Sequence, residues 1–317
     1  MTIDLDPNEL GRSIAATIDS FCADRCDEAV VRQSAEAFPL DLWRDLAALG
    51  VFDLASLSDE TGATEIAIAC EALGRADFPG PIAATYLAAE VLDGDARAAV
   101  TSGRSLVSFG DASLMPWAPL AQVFLAWHDG GVWRCEAKTD VEAVATLAGE
   151  PWGRVTLSRQ GQVGDGEHAL AVFNVAHAAW MAASARSLVS RAAEHAGTRR
   201  QFGRPLGDFQ AVAHPLADCA MQLDAAAALA RAAACALDAG DTNARVLAPA
   251  ARRSADSAAA RTVVVCHQVF GAIGITTEGP VFHTSRRLQQ ASAVPPSSRG
   301  DDARLVASIA APGAHRA

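Results

Sequence analysis

The sequence predicts a mostly α-helical protein in three consecutive parts: an N-terminal α-helical domain (residues 1–100), a small middle β domain (101–168) and a C-terminal four-helix bundle (169–317). Three observations predict it. Apolar residues recur at three-to-four spacing near the N-terminus. Short apolar–polar runs separated by turn residues fill the middle. Residues 181–260 then hold 28 alanines in 80 positions. Alanine is the strongest helix former, and its small side chain lets helices approach closely, which suits a tight antiparallel bundle.

In the first part, Leu42, Leu46 and Leu49 precede Gly50, and Ile66, Cys70 and Leu73 precede Gly74, so both glycines read as helix C-caps. Asp77-Phe-Pro-Gly-Pro81 reads as a loop that restarts a helix at 82–92. Asp24 to Glu28 reads as a charge run on a helix face. In the second part, Ser105 to Phe109, Gln122 to Trp127, Val132 to Cys135 and Arg154 to Leu157 read as strands, with Asp129-Gly130-Gly131 as a hairpin turn. Gly161 to Glu167 reads as a surface linker. In the third part, helices are expected at 175–197, 209–239, 250–272 and 280–290, with Pro249 near a helix start.

Composition narrows the function. The chain of 317 residues is 50% apolar, too apolar for disorder, and its net charge of −11 repels phosphate backbones. Lys138 is the sole lysine among 26 basic residues, so anion binding here means planar arginine forks. Seven scattered cysteines without a C-x-x-C pair argue against a disulfide framework or a thiolate metal site. The N-terminus lacks a signal pattern, and no uninterrupted apolar run reaches the roughly 18–20 residues of a membrane span. A cytoplasmic protein is expected, with no metal, membrane or nucleic-acid partner.

Two clusters carry chemistry. Thr198-Arg-Arg-Gln-Phe-Gly-Arg-Pro-Leu-Gly-Asp-Phe-Gln210 breaks two long helices with three arginines, two glycines and two phenylalanines. Arginine forks match phosphate, and Gly203 and Gly207 let a ligand approach the backbone. A plain inter-helix loop with solvated arginines explains the same residues. His267-Gln-Val-Phe-Gly-Ala-Ile-Gly-Ile-Thr-Thr-Glu-Gly-Pro280 closes the next helix, and a cap followed by a turn explains it as well. No strand precedes it, so it is no dinucleotide fingerprint.

Together, Arg-x-Gln-Phe-Gly-x-Pro-x-x-x-Phe-Gln and the later Gln-x-Phe-Gly-x-x-Gly resemble the C-terminal domain of the acyl-CoA dehydrogenase family over about residues 175–290. The resemblance implies an FAD cofactor shared across a subunit interface. Arg199, Gln201, Phe202, Leu206, Phe209 and Gln210 would line one part of it, and Gln268, Gly271 and Ala272 its pyrophosphate and adenosine side. Ser297 and Arg299 fall where members touch flavin from the neighbouring subunit. The family's Thr-Glu-Pro-Gly-x-Gly-Ser-Asp stretch, which cradles flavin and thioester, has no counterpart between 100 and 170. The catalytic glutamate is missing from both of its family positions, which fall on Val294 to Ser297 and on Phe173-Asn174.

Other titratable groups read as ordinary. Glu278 matches a glutamate that holds a turn. His214 and His283 are acid–base candidates only by their pKa range, and Glu194 and His195 read as solvated. No catalytic residue is therefore assigned. The expectation is a subunit of a heteromeric (α2β2) acyl-CoA dehydrogenase like those of actinobacteria. It would dehydrogenate an acyl-CoA thioester, a steroid side chain or another bulky acyl group, beside a related subunit that carries the base. Electron-transfer flavoprotein is a candidate acceptor. The alternatives are a self-sufficient homo-oligomeric flavoenzyme of the same fold and a non-catalytic scaffold without flavin contact.

Overall fold

The computed structural model describes residues 5–56, 61–111 and 113–296. Six helices open the chain: α1 (Glu9–Arg25), α2 (Glu28–Gln33), α3 (Leu40–Ala48), α4 (Ala63–Arg75), α5 (Ile82–Val91) and α6 (Gly94–Thr101). The charge run at 24–28 is not one helix face. It is a break, because the Asp27 carboxylate accepts the Val30 N–H at 2.9 Å and caps α2. Gly50 does close α3, at φ +77° with its N–H on the Ala47 carbonyl.

Gly74 has a different role from the expected cap. It lies inside α4, where an added Cβ would stand 2.4 Å from the Trp180 carbonyl oxygen on the long helix α7 (Gly166–Thr198). Close helix approach, not a turn, requires the glycine. Gly74→Val is expected to push α4 off α7, costing about 1–3 kcal/mol and lowering the melting temperature by several degrees in a circular-dichroism melt.

The middle strands form two small sheets. β1 (Val107–Gly110), β3 (Val123–His128), β4 (Gly131–Ala137) and β7 (Leu157–Gln162) pair in the order β1-β3-β4-β7, with β1 parallel to β3 and the other pairs antiparallel. β2 (Leu114–Pro116), β5 (Glu142–Val144) and β6 (Trp152–Arg154) pair antiparallel as β2-β6-β5. Asp129 and Gly130 turn β3 into β4, both at positive φ, as a two-residue hairpin demands. The predicted strand at 154–157 instead spans the gap between β6 and β7. β2 and β5, three residues each, are too short to show alternation.

The segment at 161–167 lies largely at the surface as expected, but its ends belong to β7 and α7 and only a short turn joins them. Asp165 caps α7 by accepting the Glu167 and His168 N–H groups, both at 3.1 Å. A Cβ on Gly166 would lie 2.6 Å from the Val132 nitrogen. After α7 come a short hairpin of β8 (Arg200–Gln201) and β9 (Arg204–Pro205), then α8 (Gln210–Asp238), α9 (Ala244–Phe270) and α10 (Phe282–Ala291). Pro249 sits in the second turn of α9, not at its start. Ala178, Ala182 and Ala185 of α7 are buried against Ala226, Ala230 and Ala233 of α8 and Ala251, Ala255 and Ala259 of α9. By length and composition alone α8 and α9 could cross a membrane; in the bundle one face of each buries alanines such as Ala226, Ala230, Ala251 and Ala255, while Met221 and Val264 are 65% and 67% exposed. A second core joins α5, the larger sheet and α7 around Phe109 and Phe173.

Candidate functional site

The antiparallel order of α7, α8 and α9 brings the end of α7, the start of α8 and the end of α9 to one end of the bundle. His195, one turn before Arg199, stacks on Phe270 with ring centroids 4.5 Å apart, which ties the two sequence clusters together. His195 is therefore half-buried and not solvated as expected. Burial and the nearby Arg199 guanidinium hold its pKa below the usual histidine value. Glu194 faces solvent.

The β8–β9 hairpin projects from this end. Its turn residues, Phe202 and Gly203, both have positive φ, and Phe202 is 90% exposed. A bulky side chain in the left-handed region is strained, and this one faces water. The Leu206 N–H donates to the Arg199 carbonyl at 2.8 Å and closes the base of the arm. Arg204 lies over the Phe209 ring at 4.0 Å, and Phe202 meets the same ring edge-on. Arg200 donates to the Gly203 carbonyl. The Arg199 side chain is exposed and has no hydrogen bond or ion pair among the described residues.

On the α9 side, Gln268, Gly271 and Ala272 are exposed. Gly271 caps α9 at φ +61°, and an added Cβ would meet nothing within 4 Å, so its backbone is open to approach. A free guanidinium, the amides of Gln201, Gln210 and Gln268 and an open glycine backbone supply many donors. That set suits an acceptor-rich anion such as a diphosphate. Ser297 and Arg299 lie outside the described residues.

The other titratable candidates hold structure. Glu278 is exposed in the turn before α10; hydrogen bonds from its own backbone N–H and from Thr277 keep its carboxyl below the usual range. Its carbonyl accepts from Arg32, and His283 donates to the Thr277 carbonyl. His214 faces solvent.

A second place escaped sequence reasoning. A cavity of about 70 Å³ opens where the three parts meet, walled by Phe78, Ile82, Phe109, Trp117, Phe173 and Trp180 together with Glu150 and His177. Phe173, at one of the glutamate positions, meets Phe109 edge-on at 5.1 Å and lies 5.2 Å from the buried Arg252 guanidinium. Arg252 donates to Asn174 and to the Val294 carbonyl. Its neighbour Asp256 faces His177 Nε2 at 3.3 Å. Burial raises the Glu150 carboxyl, and the nearby Arg287 partly offsets this.

Burial, and then the Arg252 charge, lowers the His177 pKa in spite of Asp256. The unfolded chain therefore takes up a proton at this residue before the folded one does, so stability falls as pH drops below about 6.5. Melting temperatures between pH 7.5 and 5 are expected to decline, with a shallower decline in His177→Gln.

The loop that carries Phe78, Gly80 and Pro81 into the cavity wall hangs on Asp77. Its carboxylate accepts from Arg191 at 3.0 Å and from the Ser184 and Thr284 hydroxyls, while Arg287 donates to its carbonyl.

Residues 167–296 match the model of the acyl-CoA dehydrogenase C-terminal domain. Acyl-CoA dehydrogenase FadE34 of Mycobacterium tuberculosis is 30% identical over 306 residues, covering 85% of this chain and 43% of that protein, so the chain spans less than half of that relative's length. Acyl-CoA dehydrogenase IpdE2 of the same organism is 28% identical over 296 residues, covering 86% of this chain and 89% of that protein. Among solved structures, the ChsE4-ChsE5 complex from M. tuberculosis superposes with a TM-score of 0.84 at 20% identity over 97% of this chain and 99% of that one. Butyryl-CoA dehydrogenase from Megasphaera elsdenii does so at 0.82 and 17% identity, over 97% and 100%. Motifs, fold and relatives agree: the chain belongs to the acyl-CoA dehydrogenase family.

Proposed function

We propose that this chain is a subunit of a heteromeric FAD-dependent acyl-CoA dehydrogenase that grips the FAD of a related partner subunit and leaves proton abstraction to that partner. The observation that carries this reading is the β8–β9 arm, with Phe202 strained and 90% exposed beside an uncommitted Arg199. An arm of this kind makes sense when another chain and an anion cover it.

Arg199 and Gln268 bind the diphosphate, Gln201 and Gln210 add amide contacts, and Phe202, Leu206 and Phe209 pack on its apolar parts. Gly271 and Ala272 admit it to the backbone at the end of α9. When bound, FAD supplies the hydride acceptor for α,β-dehydrogenation. Nothing in this chain is assigned the proton. The two family positions of the glutamate hold Phe173-Asn174 and the segment beginning at Val294, and Phe173 cannot accept one. The end of β1 is covered by Met115 and Pro295, whose atoms would lie 2.9 and 3.0 Å from a Cβ on Gly110, in a chain without the family's flavin-cradling stretch. The cavity of about 70 Å³ beside Phe173 is itself too small for a bulky acyl group, which favours the partner as the subunit that holds it. The names of two structural neighbours, the ChsE4-ChsE5 complex and the Tcur3481-Tcur3483 steroid ACAD, support a two-chain assembly and a steroid acyl-CoA as the substrate class.

Expression of the chain alone and together with a related subunit tests the reading. FAD content and dehydrogenation of acyl-CoA thioesters, followed with an artificial electron acceptor, are expected only in the complex. Stoichiometric FAD and full activity in the isolated chain would refute it.

A further inference from the structure

His195 stands between the two halves of the proposed FAD grip. It lies one turn before Arg199 on α7, and its ring stacks on Phe270 of α9, with centroids 4.5 Å apart and planes 26° apart. Phe270 follows Gln268 by two residues and directly precedes Gly271. The stack commits a face of the imidazole and leaves its edge. Neither ring nitrogen has a hydrogen bond among the described residues, and neither is closed off from solvent. Packing on Phe270 needs only a flat ring, so the two free nitrogens are available for another purpose.

The charged and titratable groups around His195 are otherwise engaged or face water. On α7, Arg191 donates to the Asp77 carboxylate, the Thr284 hydroxyl and the Pro280 carbonyl, and Glu194 is exposed. On α9, His267 sets Nε2 against the Ser285 hydroxyl at 2.9 Å. In the hairpin, Arg200 is on the Gly203 carbonyl and Arg204 on the Phe209 ring. Gly207, in the turn before α8, packs on α7, where an added Cβ would stand 3.5 Å from the Ala196 carbonyl oxygen. Asp208 beside it and His214 on α8 are exposed. Arg199 is the remaining neighbour, exposed and without a hydrogen bond or ion pair among the described residues.

Burial, and then the Arg199 charge, hold the imidazole below the usual histidine range, so the free protein carries it neutral at pH 7. A diphosphate esterified at both ends reverses the balance. It is fully ionised at neutral pH, cancels the like charge of Arg199 and rewards a positive donor at the free edge of the ring.

We propose that His195 couples FAD binding to proton uptake, taking a proton from solvent as the diphosphate arrives and adding an imidazolium donor beside Arg199 and Gln268. The inference rests on the proposed grip and goes beyond it by making the grip pH-dependent. Because the bound form holds the proton more tightly, FAD affinity rises as pH falls through the bound-state pKa, and levels off below the free-state one. One charge-assisted hydrogen bond at a partly exposed site corresponds to about tenfold.

The test uses the complex of this chain with its related subunit, freed of FAD and titrated with FAD at pH 8 and pH 5.5. The measure is the ratio of the two affinities, compared between the unaltered complex and His195→Phe. Phenylalanine keeps the stack on Phe270 and cannot titrate. The unaltered complex is expected to show a ratio about tenfold larger than the variant, whose affinity should equal that of the unaltered complex at pH 8. Calorimetry at pH 6.5 in buffers of different ionisation enthalpy is expected to show uptake of a fraction of a proton, absent from His195→Phe. A purely packing role for His195 would move neither readout. An equal ratio and equal proton uptake in the two complexes would overturn the proposal and pass any pH dependence to another group, such as His267. Arg199→Ala separates this failure from failure of the grip. Loss of FAD affinity at both pH values with His195 inert leaves the grip standing and refutes the coupling alone, whereas unchanged affinity in Arg199→Ala refutes both.

Discussion

Arg199→Ala is expected to weaken FAD retention in the complex about 10- to 100-fold, with little effect on folding. The side chain is exposed and makes no hydrogen bond or ion pair among the described residues, so truncation leaves no buried group unpaired. Two charge-assisted bonds to a diphosphate are each worth about 1.5–3 kcal/mol, and losing even one falls in this range. Gln268→Ala removes a neutral amide and is expected to cost less, about tenfold. Arg134→Ala, an exposed arginine on β4, serves as a charge control and should leave FAD unchanged. The measurement is flavin absorbance per complex after gel filtration at low and moderate salt. Arg199→Ala and Gln268→Ala complexes that keep their full complement of FAD would remove the proposed grip.

Asp77→Ala is expected to give the largest loss of stability of any single substitution considered. Asp77 is 4% exposed, at φ +52°, and receives Arg191, Ser184 and Thr284. Removing its carboxylate strands a partly buried guanidinium and two buried hydroxyls, at about 3–5 kcal/mol. It also frees the loop that brings Phe78 and Pro81 to the cavity. Asp77→Asn keeps the acceptor oxygen and tolerates positive φ, so it should lose clearly less. Urea titrations of both variants decide the matter: equal midpoints for Asp77→Ala and the unaltered chain would exclude the hub role.

Much of the fold was legible along the chain because its signals are local. The leucines before Gly50, the turn at Asp129-Gly130 and the alanine texture of α7, α8 and α9 each depend on near neighbours only. The errors were also local. Gly74 looked like a cap because glycine serves both turns and close packing, and one sequence does not show the Trp180 carbonyl that approaches it. The run at 154–157 merged β6 and β7 because a two-residue gap leaves no gap in an apolar pattern. Asp24 to Glu28 looked like one helix face because Asp27 reads as a charge until its carboxylate is seen on the Val30 N–H.

The candidate site divides in the same way. The arm and the end of α9 were readable because each is a contiguous motif, and helix order then places them together. The cavity was not readable. Its walls come from residues 78–84, 109, 116–117, 150, 173–180 and 291–294, segments that meet only after long loops have closed.

The sequence by itself determined the order of helical, β and helical parts, the family, and an arginine-rich grip at a helix break. It also determined that a phenylalanine stands where a glutamate would be needed, since residue identity needs no fold. Only the tertiary structure decided that Phe202 is presented to solvent in a strained turn and that His195 joins the two motifs through Phe270. It also decided that His177, Asp256 and Arg252 meet beside an apolar cavity. The physical reason is that burial and hydrogen-bond partners belong to neighbours in space. His177 and Asp256 are 79 positions apart, and neither carries any mark in its own surroundings of the other.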